Sequence, residues 1–241
     1  MIKDTKLFTK TILDYLKSQL VIMKKDGIII HLDATLMSVA NILLAKQLGS
    51  PFTFKVVTCV TNNNKFALTQ AILIAKQFEV DLEIRDMSEE YDKLLTHKGT
   101  TGASLQKRLI DLVLNTTADS ENLQPVSNLC YSQWAIDFPH KCYQNLEQVN
   151  LLNRLFYSEV VQLAKALGAS ETLVSREPSH YLHRTQVDKD IGFTYSELED
   201  FLRSPPQPKS LQEKLIANRL VSDNRNQYSG LVIQRPSNLL G

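Results

Sequence analysis

Short runs of β-branched residues alternate along this chain with longer stretches whose apolar positions recur every three or four residues. Leu7, Ile12, Leu13, Leu16 and Leu20 put one stripe on an N-terminal helix. Gly27 to Leu32 is then a continuous apolar run, the pattern of a strand buried on both faces. Leu36, Val39, Ala40, Leu43, Leu44 and Leu48 return to helical spacing and stop at Gly49. The pair recurs: Phe52 to Val60, FTFKVVTCV, reads as a second strand, and Leu68, Ala71, Ile72, Ala75 and Phe78 mark a second helix. Val80 to Ile84 is a third strand. Leu105, Leu109, Leu112 and Val113 predict a third helix, followed by the polar stretch Asn115 to Asn122 and a short strand near Gln124 to Ser127. Val160, Leu163, Ala164 and Leu167 give another helix, stopped by Gly168, and the breaker SPPQPK, Ser204 to Lys209, precedes a final polar helix.

Strands alternating with helices predict an α/β fold: a three-layer, doubly wound, Rossmann-like parallel sheet built from right-handed crossovers. Such sheets bind ligands at the carboxyl ends of their strands. Asp33 falls there. No internal repeat or low-complexity tract divides the chain, and residues 1–241 read as one domain.

Composition narrows the function classes. A chain of 241 residues with 43% hydrophobic and 22% charged content suits one large soluble domain. A formal net charge of +1, with lysines and acids interspersed, gives no electrostatic reason to expect nucleic acid or an anionic membrane. Cys59, Cys130 and Cys142 are few, scattered and odd in number, which favours a reducing compartment over a disulfide framework. With no apolar leader in MIKDTKLFTK and no run of membrane-spanning length, the expected location is cytoplasmic.

The strand, turn and helix of Gly27 to Gly49 have the frame of a phosphate site, where backbone N–H groups at a helix N-terminus hold an anion and glycines admit it closely. The turn here is Asp33-Ala34-Thr35, with a carboxylate and no glycine. This segment resembles the first strand, loop and helix of the ammonia-dependent NAD synthetases, which are ATP pyrophosphatases with the loop Ser-Gly-Gly-X-Asp-Ser. Placing Gly49 on the helix-ending glycine of that family lays Asp33, Ala34, Thr35, Leu36, Met37 and Ser38 on the loop, and only the last serine is retained. The C-terminal half carries further matches. Ser158 and Val160 match a Lys-(Ser or Thr)-Gln-Val helix start, with Glu159 at the glutamine. Glu177-Pro178-Ser179 is similar to a Pro-Ser substrate-loop element, and Ile191 to Tyr195 running into LEDFL is similar to a Gly-X-(Ser or Thr)-Tyr helix start. Order and spacing are kept over nearly the whole chain. The resemblance implies an adenine nucleotide α-hydrolase-like fold and a homodimer.

The positions that do chemistry in the family differ. Its Arg-X-Arg pair falls on Ser104 and Gln106, its metal-binding glutamate on Gln133, and the threonine of its Gly-Thr element on Asn128. Two aspartates fall on Gln144 and Gln148, a late acidic element is represented by Asp188, Lys189 and Asp190, and a Lys-Arg pair falls on Ser229 and Gly230. Trp134 and Lys141 do match, the lysine at a position that holds the dinucleotide substrate. The family reaction adenylates a carboxylate and then admits ammonia, so it needs cations over phosphate and carboxylates for magnesium. Gln133 is a poor magnesium ligand. Asp33 beside a phosphate would repel it by up to about 4 kcal/mol at an effective dielectric near 20.

Simpler roles stand beside these. His180 and His183 could share a helix face but lack a third ligand, and His140 with Cys142 lacks any catalytic spacing. Asn115-Thr116-Thr117 is a glycosylation sequon by letters alone. Trp134 suits packing and Lys141 a solvated charge as readily as ligand binding. Asp33 is read as a helix N-cap accepting the N–H of Leu36.

The expectation is a catalytically degenerate NAD synthetase homologue with no catalytic or metal residues and no cofactor, serving binding or regulation. A nucleotide or dinucleotide is its expected ligand, and an intact NAD synthetase a candidate heteromeric partner. The alternatives are a divergent NAD synthetase using ATP and magnesium, and a purely structural interaction module.

Overall fold

The computed structural model describes residues 1–62, 65–95, 102–136, 149–175, 179–180, 185–186, 192–203, 213 and 216. Four parallel strands form its sheet in the order β3-β2-β1-β4: β1 (Gly27–His31), β2 (Thr53–Val60), β3 (Leu82–Asp86) and β4 (Leu123–Val126). Gly27 pairs with Thr53 on one side and Leu123 on the other. A Cβ at Gly27 would overlap the Thr53 carbonyl, so this close approach of two strands requires glycine.

One face of the sheet carries α1 (Thr5–Met23), α2 (Leu36–Ala45), α3 (Lys65–Gln77) and α7 (Tyr157–Ala166), packed on Ile28, Ile30, Val56 and Val126. The other face carries α5 (Gly102–Ser120), whose Ile110, Leu114 and Ala118 meet Ile29, Val57, Cys59 and Leu123. Ile28 to Ile30 are therefore buried on alternating sides, which is why the strand reads as an unbroken apolar run. The doubly wound architecture expected from the alternation is the one observed. The β1-α2-β2 and β2-α3-β3 crossovers use one face, and the passage from β3 to β4 through α4 (Ser88–Leu95) and α5 uses the other. Chain direction across the sheet thus reverses between β1 and β4, and the turns leaving their carboxyl ends meet at the place where such sheets bind ligands.

The pattern misplaced several boundaries. Asn115 to Ser120 belongs to α5: Leu114, Thr117 and Ala118 keep the helical period against the sheet, and the Thr116 hydroxyl donates back to the Leu112 carbonyl at 2.8 Å. Leu112, assigned to the apolar stripe, is 56% exposed. On α3 Ile72 is 43% exposed and Ile74 takes the core position in its place. The third strand starts at Leu82, two residues later than expected. Ser179–His180 forms a two-residue strand with Thr185–Gln186, so His180 is not on a helix; His183 lies outside the described residues. The α1 stripe at Ile12, Leu13, Leu16 and Leu20 is consumed in the core of this chain, leaving Leu7 exposed.

Beyond the short α8 (Glu171–Val174), helix α9 (Tyr195–Arg203) starts with a reciprocal cap: the Glu197 N–H donates to Thr194 Oγ1 at 3.1 Å and the Thr194 N–H to Glu197 Oε2 at 2.7 Å; the polar helix expected after Ser204 to Lys209 lies almost wholly outside the described residues. The buried Glu199 of α9 accepts from Ser132 Oγ at 3.0 Å, from the Ser158 N–H at 3.1 Å and from Ser158 Oγ. That carboxylate fastens α9 to the starts of α6 (Tyr131–Ala135) and α7. Glu159, at the position of the family glutamine, is fully buried and caps α7 by accepting the Phe156 N–H at 3.0 Å. Among the described residues no helix is long and apolar enough to cross a membrane.

Candidate functional site

The turn after β1 is held by its own side chains. Ala34 takes the left-handed conformation, φ 60°, which costs a residue with a Cβ and is maintained here by an Asx turn. Asp33 Oδ1 accepts the Thr35 N–H at 2.9 Å and Thr35 Oγ1–H at 2.6 Å. The N-cap of α2 is Thr35, whose Oγ1 accepts the Ser38 N–H at 3.3 Å. This corrects the expectation for Asp33, which caps the turn before the helix and does not receive the Leu36 N–H. The Ser38 hydroxyl donates to the Thr35 carbonyl at 2.9 Å.

Of the six loop positions only Asp33 and Thr35 are partly exposed. Ala34, Leu36, Met37 and Ser38 are buried, and Met37, 4% exposed, belongs to the main core with Leu36, Val39 and Ala40. The position that the resemblance lays on the loop aspartate is therefore a core position in this chain.

The turn after β4 closes on the first. Asn128 Nδ2 donates to the His31 carbonyl at 2.7 Å and to Asp33 Oδ2 at 3.3 Å. Asn41, fully buried on α2, donates through Nδ2 to the Ser127 carbonyl at 3.1 Å and to Asn128 Oδ1 at 2.9 Å. Sequence reasoning passed over Asn41. Its signal was a single amide within VANILLA, a run apolar at every other position.

Gln133 spends its amide oxygen on the Cys130 N–H at 3.2 Å, closing the first turn of α6. Gln106 is buried on α5, and its Nε2 has no partner among the described residues. Ser104 is half-buried at the start of the same helix. Lys107 is paired with Asp111 one turn along. Burial pushes the His31 imidazole below its usual pKa, an effect that Asp33 partly offsets. Burial also raises the Cys59 and Cys130 thiols to about 12, so neither offers a thiolate nucleophile at neutral pH.

Trp134, on α6, is 39% exposed and stacks on Tyr131 with centroids 5.6 Å apart and planes at 26°. Tyr131 meets Phe156 edge-on at 5.2 Å, and the Arg203 guanidinium lies 4.1 Å from the centre of the Phe156 ring. Lys141, His140, Cys142, Gln144, Gln148, Asp188, Lys189, Asp190, Ser229 and Gly230 lie outside the described residues. No group of three His, Cys, Asp or Glu side chains able to hold a metal occurs among the described residues.

The family model for NAD synthase matches residues 8–234. The NH(3)-dependent NAD(+) synthetase of Finegoldia magna is 26% identical over 149 residues, covering 58% of this chain and 61% of that protein. The chain thus spans less than two thirds of that relative. The corresponding protein of Mycoplasmopsis pulmonis is 20% identical over 223 residues, 90% of this chain and 87% of its own. Among solved structures, NMN synthetase from Francisella tularensis superposes with a TM-score of 0.83 at 18% identity over 97% of this chain and 99% of that one. The NH3-dependent NAD synthetase of Campylobacter jejuni gives 0.70 at 17% identity, covering 91% and 95%. At these identities the superpositions speak for the fold alone.

Proposed function

The chain belongs to the NAD synthase family, and from that premise we propose that it is a member rebuilt out of catalysis, a binding or regulatory protein of NAD metabolism. What supports this reading is the turn after β1, where Asp33 has taken for itself the Thr35 donors and placed a negative charge at the phosphate position. The residues present do not suit magnesium triphosphate. Gln133 is neutral and engaged as a cap, Met37 is in the core, and Ser104 and Gln106 carry no charge to set against phosphate.

The proposed assembly is a cytoplasmic homodimer, on family grounds, with an intact NAD synthetase as a candidate second partner and a dinucleotide at Trp134 and Lys141 as a candidate ligand. Sedimentation at micromolar concentration is expected to give a dimer, since obligate interfaces commonly exceed about 2,000 Å²; a monomer alone contradicts this.

A second reading is an active, divergent amide-forming synthetase. It is equally consistent with the family match, and since the same fold carries an NMN synthetase in Francisella tularensis, a mononucleotide substrate is worth testing beside a dinucleotide. ATP titration separates the two. A ligand at 100 times its dissociation constant stabilises a fold by about 2.7 kcal/mol. Under the proposed function, millimolar ATP with magnesium leaves the unfolding temperature unchanged, and a clear upward shift favours the synthetase.

A further inference from the structure

The N-terminal helix carries more cationic charge than its packing uses. Lys6, Lys10, Leu13 and Lys17 recur at intervals of four, three and four residues, so they form one stripe along α1. That stripe opens on a groove of about 350 Å³ between α1, the residues just past α2 and the carboxyl end of α7. The volume is at the lower end of the range for small-molecule sites. Leu13, Ala166 and Leu167 line it with apolar surface, and Thr5 and Thr9 add hydroxyl-bearing side chains beside the lysines. Leu13 is 7% exposed and Thr9 6%, so the groove reaches down to the packed layer beneath α1.

Charge decides what such a groove would hold. Three lysines against Asp14 leave two net positive charges here, in a chain whose whole formal charge is +1. The carboxyl end of α7 subtracts about half a charge. Lys6, Lys10 and Lys17 make no ion pair or hydrogen bond among the described residues. Lys6 and Lys10 stand one turn apart, a spacing at which like charges repel along a helix. An anion between them removes that repulsion, and two ammonium groups one turn apart match a single phosphoryl group. The concave apolar lining favours a small organic body over an extended acidic peptide, which a flat lysine face would hold as well.

We propose that this groove binds a small phosphomonoester, its phosphoryl group between Lys6 and Lys10 beside Thr9, and its body against Leu13, Ala166 and Leu167. Lys17 lies about 10 Å further along α1 by helical rise and suits a body that is polar at its far end. The inference does not depend on the reading of the turn after β1, since no residue of that turn lines the groove.

Thermal unfolding at constant ionic strength without magnesium tests it, with ribose 5-phosphate, inorganic phosphate, sulfate and ribose as probes. The expected result is a saturable rise in Tm with ribose 5-phosphate, a weaker one with inorganic phosphate and none with ribose. Lys6→Gln with Lys10→Gln should raise the half-saturating concentration of ribose 5-phosphate at least tenfold, and the control pair Lys65→Gln with Lys76→Gln on α3 less than twofold. Ala166→Phe, at the exposed end of α7, keeps every lysine and narrows the groove, so it should weaken ribose 5-phosphate and leave inorganic phosphate unchanged. A response to sulfate equal to that for ribose 5-phosphate, or the same loss in both lysine pairs, reduces the effect to non-specific charge and overturns the proposal. No response to ribose 5-phosphate and phosphate overturns it too, and polyglutamate binding that Lys6→Gln with Lys10→Gln then abolishes would assign the face to an acidic protein partner instead. Magnesium screens the charge of a triphosphate, so the ATP titration above reports on the turn: a rise with ATP and magnesium that persists in the Lys6→Gln, Lys10→Gln protein counts against the proposed function and not against the groove.

Discussion

Met37→Asp, which restores the family aspartate, is expected to destabilise this protein by about 3 to 5 kcal/mol, the range for an uncompensated buried charge. Met37 is 4% exposed and lies in the main core, one turn before Asn41 and next to Leu36 and Ala40. A carboxylate there has three outcomes: it remains ionised without a partner, it takes up a proton, or it drags the first turn of α2 out of the core. All three cost stability. The denaturation midpoint should fall with an unchanged slope against denaturant. A loss below about 1 kcal/mol would mean that space and a counter-charge for the family carboxylate persist at this end of the sheet, and the case for a rebuilt site would fail at that position.

Under the proposed function, repair of the turn alone is expected to restore no activity. Asp33→Ser, Ala34→Gly and Thr35→Gly remove the repelling charge and free backbone N–H groups, at the loss of the α2 cap that Thr35 provides. Gln133 remains committed to the Cys130 N–H, and Gln106 remains neutral. Catalytic groups that act as a unit are strongly non-additive, so restoring one part of the set returns little of the rate.

Elements with strong hydrophobic patterns are legible in the amino-acid sequence itself. Gly27 to His31 reads as a strand because a central parallel strand is apolar on both sides, and α2 because its stripe ends at a left-handed glycine, Gly49, φ 69°. Short elements leave weaker signals. Helices α4 and α6, of eight and five residues, depend on tertiary contacts more than on periodicity. The end of α5 is obscured because Asn115, Thr116, Thr117, Asp119 and Ser120 are polar, although Ala118 still faces the sheet.

At the candidate site the sequence identifies where to look and which family residues are replaced. What took their place is less legible. Asp33 and Thr35 are both good capping residues two positions apart, and only the geometry of Ala34 assigns the cap to Thr35. Gln133 looks like a lost ligand in the sequence, yet in the fold it is a capping group. Asn41 is hidden because an amide in an apolar helix reveals its purpose only through partners 86 and 87 residues away.

Amide formation is the most direct measurement of the central claim. Wild-type protein and the four-fold variant Asp33→Ser, Ala34→Gly, Thr35→Gly, Met37→Asp would be supplied with ATP, magnesium and ammonium, and with either deamido-NAD or the acid form of NMN. The proposed function predicts no NAD or NMN above the protein-free control from either protein. Turnover by the wild type at roughly one per second or faster, a rate ordinary for enzymes, would contradict it.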